Sequence, residues 1–234
     1  MGGERGRGSA NPCAANAIRL ATSALILCTG EIVPAGSDSP GGRRSPRVPG
    51  MADAAVRTAG PEDVAEIARI HRDTWRTAYA DLLPPEVLAD LDVSRTAPRW
   101  AEAVAHGQVL VATEGRWIVG FCLAGLAPDE EVAAADGTLP EDAATTALVS
   151  TLLVEPRWGR RGHGGRLLAT AAEALRDRGA TRGIAWIPEA DKASTAFYRS
   201  AGWTADGTVR TLDAGGRPLR EIRVSGVLTL LLRR

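Results

Sequence analysis

Lysine is almost missing from this chain. Of its 28 basic residues, Lys192 alone is lysine and the rest are arginine. The bias looks like genomic base composition, and it removes one class of phosphate site. A Walker loop ends in Gly-Lys-Ser/Thr, and Lys192 stands in no such context. Net charge is missing too, because 28 acidic residues balance the 28 basic ones. There is no bulk basic field for nucleic acid or an anionic membrane, so neither is expected as a partner. Cys13, Cys28 and Cys122 lack metal-ligand spacing and form no disulfide framework, as suits a reducing, cytoplasmic setting with no bound metal. No apolar run reaches the ~18 residues of a membrane span, and no internal repeat is visible.

What is present suffices for one domain with a core: 234 residues, 44% of them hydrophobic. Residues 1–50 differ from the rest. They cluster Gly, Pro, Ser and Arg, as in Pro40 to Pro46, and offer too little apolar surface to fold. Leu20 to Cys28 is apolar and follows Arg5 and Arg7, which raises a signal peptide. That core is short, Arg19 borders it, and Leu25-Ile26-Leu27-Cys28 lacks the small residue a lipoprotein signal prefers before its cysteine. The expectation is that Met51 is the natural start, that residues 1–50 are disordered or an upstream extension, and that residues 54–228 form the domain, as a monomer or homodimer.

The chain is organised around Val154 to Ala174. An apolar run, Ala147 to Val154, enters it as a buried strand, and Pro156 stops that strand. Gly159, Gly162, Gly164 and Gly165 follow, and then Leu167, Leu168, Ala171, Ala172 and Leu175 recur at helical spacing. Strand, Gly/Arg loop and helix make an anion site. The helix start leaves about four N–H groups without partners, its dipole adds roughly half a positive charge, and glycine lets the backbone approach a ligand. Arg157, Arg160, Arg161 and Arg166 surround the turn, with Glu155 against them, so a phosphorylated ligand is expected. A dinucleotide loop does not fit: Gly162-His163-Gly164 is followed by Leu167 where Gly-x-Gly-x-x-Gly needs its third glycine.

This stretch resembles motif A of the GCN5-related N-acetyltransferases, the GNAT superfamily, whose pattern is Arg/Gln-x-x-Gly-x-Gly/Ala after Val-x-Pro. Val154, Pro156, Gly162 and Gly164 match; the first position departs, being Gly159. A second stretch is similar to the family's Asn-x-x-Ala-x-x-Phe-Tyr…Gly-Phe. Phe197, Tyr198 and Gly202 match, while Asp191, Ser194 and Trp203 replace Asn, Ala and Phe. The two motifs lie in the family's order, and the resemblance covers about residues 54–228.

The coarse element order agrees. Ala54–Thr58 reads as a strand and Pro61 to about Ala80 as a helix, with the stripe Val64, Ile67, Ala68, His71, Trp75, Ala78. Glu86–Leu91 and Ala97–His106 read as helices, Gln108–Thr113 and Trp117–Leu126 as a hairpin, and Pro128–Asp142 as a polar, acidic loop. Gly183–Ile187 reads as a strand and Asp191–Ser200 as a helix with Ala193, Phe197 and Ala201 toward the core. Trp203–Arg210 and Leu219–Leu230 read as two last strands. The resemblance implies an α/β fold, a mixed sheet with helices on both faces in the order β-α-α-β-β-β-α-β-α-β-β.

It also implies chemistry: an acetyl group passes from acetyl-CoA to an amine, with no metal. Gly159, Arg160, Arg161, Gly162, His163, Gly164, Gly165 and Arg166 would hold the diphosphate, with Asp191 among the cofactor contacts. Backbone groups of Leu152, Leu153 and Val154 would serve the pantetheine arm and the thioester carbonyl. Tyr198 would protonate the leaving thiolate; a phenol titrates near 10 and holds its proton at neutral pH. No base is identified, since the strand Ala147–Val154 holds no carboxylate and nothing singles out Glu102, Glu141 or Asp142. A small-molecule amine is the expected acceptor. The alternatives are a catalytically silent acyl-CoA-binding module and a protein or peptide N-terminal acetyltransferase.

Overall fold

The computed structural model describes residues 54–107 and 109–230. The expectation for residues 1–50 therefore lies outside the described residues.

Seven strands form one sheet: β1 Ala54–Thr58, β2 Val109–Glu114, β3 Trp117–Leu126, β4 Thr146–Val154, β5 Arg182–Pro188, β6 Thr204–Ala214 and β7 Arg217–Val227. Their order is β1-β2-β3-β4-β5-β7-β6. Every neighbouring pair is antiparallel except β4–β5. The helices are α1 Val64–Ala78, α2 Pro85–Ala89, α3 Val93–Ala105, α4 Asp129–Val132, α5 His163–Asp177 and α6 Lys192–Ser200.

Each face of the sheet is covered because three helices carry apolar stripes. On one face α1 and α3 bury Ile67, Ile70 and Trp100 against Val109, Val111, Phe121 and Leu123. On the other, α5 buries Leu167, Leu168, Ala171 and Leu175 against Leu110, Cys122, Ala147 and Val149. Side chains alternate across a strand, which is why residues of odd and even number in β2 belong to different clusters.

Three sequence expectations are corrected. First, α3 begins at Val93, four residues before Ala97, because the Asp92 carboxylate accepts from Ser94 N at 2.8 Å and caps it. Second, the acidic stretch is not all loop: Asp129–Val132 makes one helical turn, and Glu131 turns inward. Third, α6 does not bury the stripe Ala193–Phe197–Ala201. Ala193 is exposed, Phe197 is partly buried, and Tyr198 and Ala201 are buried. The face is set by the slot that receives Tyr198, not by apolar character alone.

One wall of that slot is Trp203, which is itself seated over two glycines. Gly183 and Gly226 face each other across β5 and β7. A Cβ on either would collide with the Trp203 indole. Trp203 fills the space they leave, its N–H donates to Val227 O at 3.2 Å, and Tyr198 stacks on it at 5.4 Å between centroids.

His71 lies wholly buried in α1, edge-on to Trp75, Trp100 and Phe121 at 5.2, 5.4 and 6.5 Å, and neither ring nitrogen has a partner among the described residues. It is a core histidine, as its place on the helical stripe suggested. Burial lowers its pKa from 6.5 to about 4. Unfolded, the ring takes its proton near 6.5, so the unfolded chain binds more protons between these values. Stability is complete above about pH 6.5 and falls by about 3 kcal/mol as pH drops to about 4. His71→Leu should flatten that fall. The check is melting temperature against pH for both proteins; equal slopes across the window would show that His71 is not its source.

The feature that positions the site is a parting of strands. β4 and β5 pair only at Thr146, Ala147 and Leu148 with Arg182, Gly183 and Ile184. Beyond Leu148 the strands separate. β4 also bulges: Leu123 faces Thr151 and Ala124 faces Val149, which leaves Ser150 as the extra residue.

Candidate active site

A cavity open to solvent occupies the gap between β4 and β5. Residues from both faces of the sheet reach it: Trp75 and Tyr79 at the end of α1, Ser194 and Tyr198 from α6, and Arg210 and Glu221 from β6 and β7. One hydrogen bond crosses the gap. Tyr79 Oη donates to Asp191 Oδ2 at 3.2 Å, so the end of α1 is tied to the start of α6.

The Gly/Arg loop lies one side chain from this cavity. Leu152 lines the cavity, and its Cδ2 is 3.6 Å from where a Cβ on Gly164 would stand; the Phe197 ring is at 3.2 Å. Glycine at 164 is thus what lets α5 start so close to β4 and α6. Gly162 has φ 81°, the left-handed conformation glycine favours, and Arg160 adopts φ 60° beside it. Between them the turn presents the N–H groups of Arg160 to Gly165, which have no backbone acceptor among the described residues. Gly159 stands just outside, its N–H on Pro156 O at 3.0 Å.

Most side chains of the loop, and that of Asp191, have partners within the protein. The His163 side chain is buried, with Nε2 2.8 Å from Glu114 Oε2. It props the turn from behind, and only its backbone N–H faces outward with the loop. Arg161 is bound to the same carboxylate at 3.1 Å, its guanidinium 4.8 Å over the Trp158 ring. Arg166 donates to Arg161 O at 3.2 Å, and Arg157 to Glu155 at 2.9 Å. Arg160 is exposed. Asp191 caps α6, accepting from Ser194 N at 3.0 Å and Ser194 Oγ at 2.7 Å as well as from Tyr79, so its carboxylate is occupied within the protein. Among Leu152, Leu153 and Val154, Leu152 and Val154 pack with the α5 face and Leu153 with the α1 face. On the β5 side their backbones have no strand partner.

Tyr198 is 5% exposed and borders the cavity. Burial, with smaller contributions from Cys122, Tyr79 and Asp191, holds its phenol well above the ordinary range. It carries its proton at any working pH.

The family assignment follows from this arrangement together with the sequence itself. A model of the Acetyltransferase (GNAT) family matches residues 64–203, from the first residue of α1 to the tryptophan wedged between the glycines.

The chain belongs to the GNAT acetyltransferase family.

Relatives agree with the assignment. The GNAT chain is 30% identical over 145 residues to the uncharacterized N-acetyltransferase YuaI of Bacillus subtilis (strain 168), covering 62% of this chain and 77% of that protein. Its fold is that of the PaiA N-acetyltransferase of Thermoplasma acidophilum, solved in complex with coenzyme A: TM-score 0.59, 14% identity, 75% of this chain and 99% of that one. It is likewise that of a ribosomal-protein-alanine N-acetyltransferase from Brucella melitensis: TM-score 0.57, 22% identity, 74% and 99%. The mixed seven-stranded sheet is the GNAT fold, and acetyl-CoA is the family's donor. Among the described residues no group of His, Cys, Asp or Glu could hold a metal ion, and no helix is long and apolar enough to cross a membrane.

The carboxylates that this GNAT sequence offered as bases lie elsewhere. Glu102 and Glu141 are exposed, and Asp142 pairs with Arg182. The carboxylate on the cavity wall is Glu221 of β7. Sequence reasoning missed it, although a signal exists. Leu219, Glu221 and Arg223 alternate onto one face of β7 and are all buried, and charges on an inner strand face call for a partner.

Proposed function

We propose that the protein transfers an acetyl group from acetyl-CoA to a primary amine of a small molecule. The observation that carries this reading is the cavity in the sheet gap: it holds Tyr198 on one wall, and its Leu152 wall abuts the loop of unpaired N–H groups. The residues fit acetyl-CoA. Backbone donors of Arg160 to Gly165 suit a diphosphate, with the exposed Arg160 adding charge. The unpartnered edge of Leu152 to Val154 suits the amides of a pantetheine arm, and its donors suit developing oxyanion charge. The His163 ring, held by Glu114, and the Asp191 carboxylate, held by Ser194 and Tyr79, support the site through these contacts. Acetyl-CoA supplies the activated acyl group and a thiolate leaving group. Tyr198 Oη holds the proton that this sulfur needs.

The test is thiol release by the purified protein given acetyl-CoA and a panel of small primary amines, beside a panel of peptides with free N-termini. Calorimetry with CoA runs in parallel. Release with small amines is the expected result. Release with peptides alone would transfer the reading to N-terminal acetylation, and tight CoA binding without release to any acceptor would leave a silent acyl-CoA module.

A further inference from the structure

Arg210 and Glu221 on the cavity wall belong to an ionic cluster that thioester chemistry does not use. Arg210 of β6 donates from Nε to Glu221 Oε2 at 2.7 Å and from Nη1 to Glu131 Oε2 at 2.9 Å. Two carboxylates therefore share one guanidinium, and the cluster carries an excess negative charge when both are ionised. The guanidinium is further fixed 4.3 Å over the Trp186 ring. Neighbouring charges do not cancel the excess. Arg223, on the strand of Glu221, is taken by Asp206 at 2.7 Å and by the carbonyls of Glu131, Val132 and Ala133. From α1 the facing group is Tyr79, whose phenol burial keeps protonated, with Asp191 and Glu221 reinforcing the shift.

Glu221 is 9% exposed and is the only carboxylate among the described residues lining the cavity. Its Oε2 is engaged, but Oε1 takes no hydrogen bond among the described residues. That oxygen is not sealed from solvent, so a ligand entering the cavity can donate to it. Tyr198 lines the same cavity from the α5 face of the sheet, while Glu221 shares the strand face of Leu219, which packs with Trp75 and Tyr79 at the end of α1. A thioester carbonyl between them would have a proton donor on one side and a proton acceptor on the other.

We propose that Glu221 receives the first proton of the acceptor ammonium, and that the acceptor is accordingly a cationic amine drawn to the Glu221–Arg210–Glu131 cluster. This deepens the small-amine reading and rests on it. The balance is as follows. The Glu221 carboxylate takes one proton from R–NH3+ and releases it to solvent. The freed nitrogen attacks the thioester carbon; the C–N bond forms and the C–S bond breaks. Tyr198 Oη gives its proton to the departing sulfur and recovers the second nitrogen proton. R–NH3+ and acetyl-CoA thus become the amide, free CoA thiol and one proton in solution.

The experiment measures kcat/KM for an accepted small amine from about pH 6 to 10, with wild type, Glu221→Gln and Glu221→Asp, and acetyl-CoA affinity for each. In wild type the carboxylate meets the ammonium form, so the profile should be nearly flat below the amine's own pKa. Glu221→Gln must wait for free amine. It should lose about 10²-fold at pH 7 and climb tenfold per pH unit, with acetyl-CoA affinity unchanged. Glu221→Asp, which retains a carboxylate, should be slower but keep the flat profile. A Gln variant within threefold of wild type, or one lowered by the same factor at every pH, overturns the proposal. Should the Gln variant fail to bind acetyl-CoA, the Asp variant decides: a flat profile supports the base role, and a tenfold climb per unit overturns it. A wild-type protein that binds acetyl-CoA yet acetylates no small amine overturns the parent reading, and this one with it.

Discussion

Tyr198→Phe is expected to lower kcat by roughly 10²–10⁴ while KM for acetyl-CoA moves little. The substitution removes one oxygen and its proton and keeps the ring. The ring is what the fold uses: it stacks on Trp203 at 5.4 Å and meets Phe197 edge-on at 5.1 Å. Neither contact involves the hydroxyl, so the packing should survive. The proton is what the chemistry would use. Burial keeps the phenol neutral, and the sulfur would draw on it only as the C–S bond breaks. Steady-state thiol release at several pH values, with single-turnover experiments to separate product release, gives the answer. A fall smaller than about threefold in the chemical step would reduce Tyr198 to a piece of cavity wall.

Gly162→Glu is expected to weaken CoA binding by about 10³-fold, the loss of two charge-assisted hydrogen bonds at ~2 kcal/mol each. Two effects must be kept apart. Gly162 sits at φ 81°, where any side chain is strained by roughly 1–2 kcal/mol. A Cβ there would find only the Arg166 guanidinium, at 3.7 Å or more, so there is room. Gly162→Ala carries the same strain without the charge. It should melt a few degrees lower, at about 2–4 °C per kcal/mol, and keep CoA affinity within about tenfold. The difference between the two variants isolates the negative charge placed among the loop N–H groups. Gly164 is a poorer site for this test, because a Cβ there crowds the Phe197 ring at 3.2 Å and would disturb packing as well as binding. Equal CoA affinity for the Ala and Glu variants would remove the loop from the diphosphate site.

Local features were legible in the sequence; long-range ones were not. β1 and β3 have the predicted bounds, and the Pro156 stop, the glycine turn and the α5 stripe lie in the predicted order, because each is dictated by residues within a few positions of each other. The unpaired N–H groups of that turn were legible for the same reason. The orientation of its side chains was not. Arg161 and His163 turn to Glu114, nearly fifty residues earlier in the chain, which only the position of β2 beside the loop brings into reach. The direction of α6 was misread because Tyr198 is buried against Trp203, which is itself seated over Gly183 and Gly226, two residues from different strands. Glu131, Arg210 and Glu221 converge through the β6–β7 register and the turn of α4, and none has a local pattern that announces the others.

The parting of β4 and β5 separates what can drift from what cannot. Where the strands diverge, backbone amides and carbonyls, not side chains, face the gap. A donor held there and at the glycine turn would be gripped by groups that every residue type carries. Substitutions along β4 could reshape the room for the acyl group without loosening that grip. The acceptor wall is assembled instead from side chains of α1, β6 and β7. Mutation can therefore exchange one amine preference for another while the donor machinery persists, so inheritance of the fold carries the donor faithfully and the acceptor hardly at all.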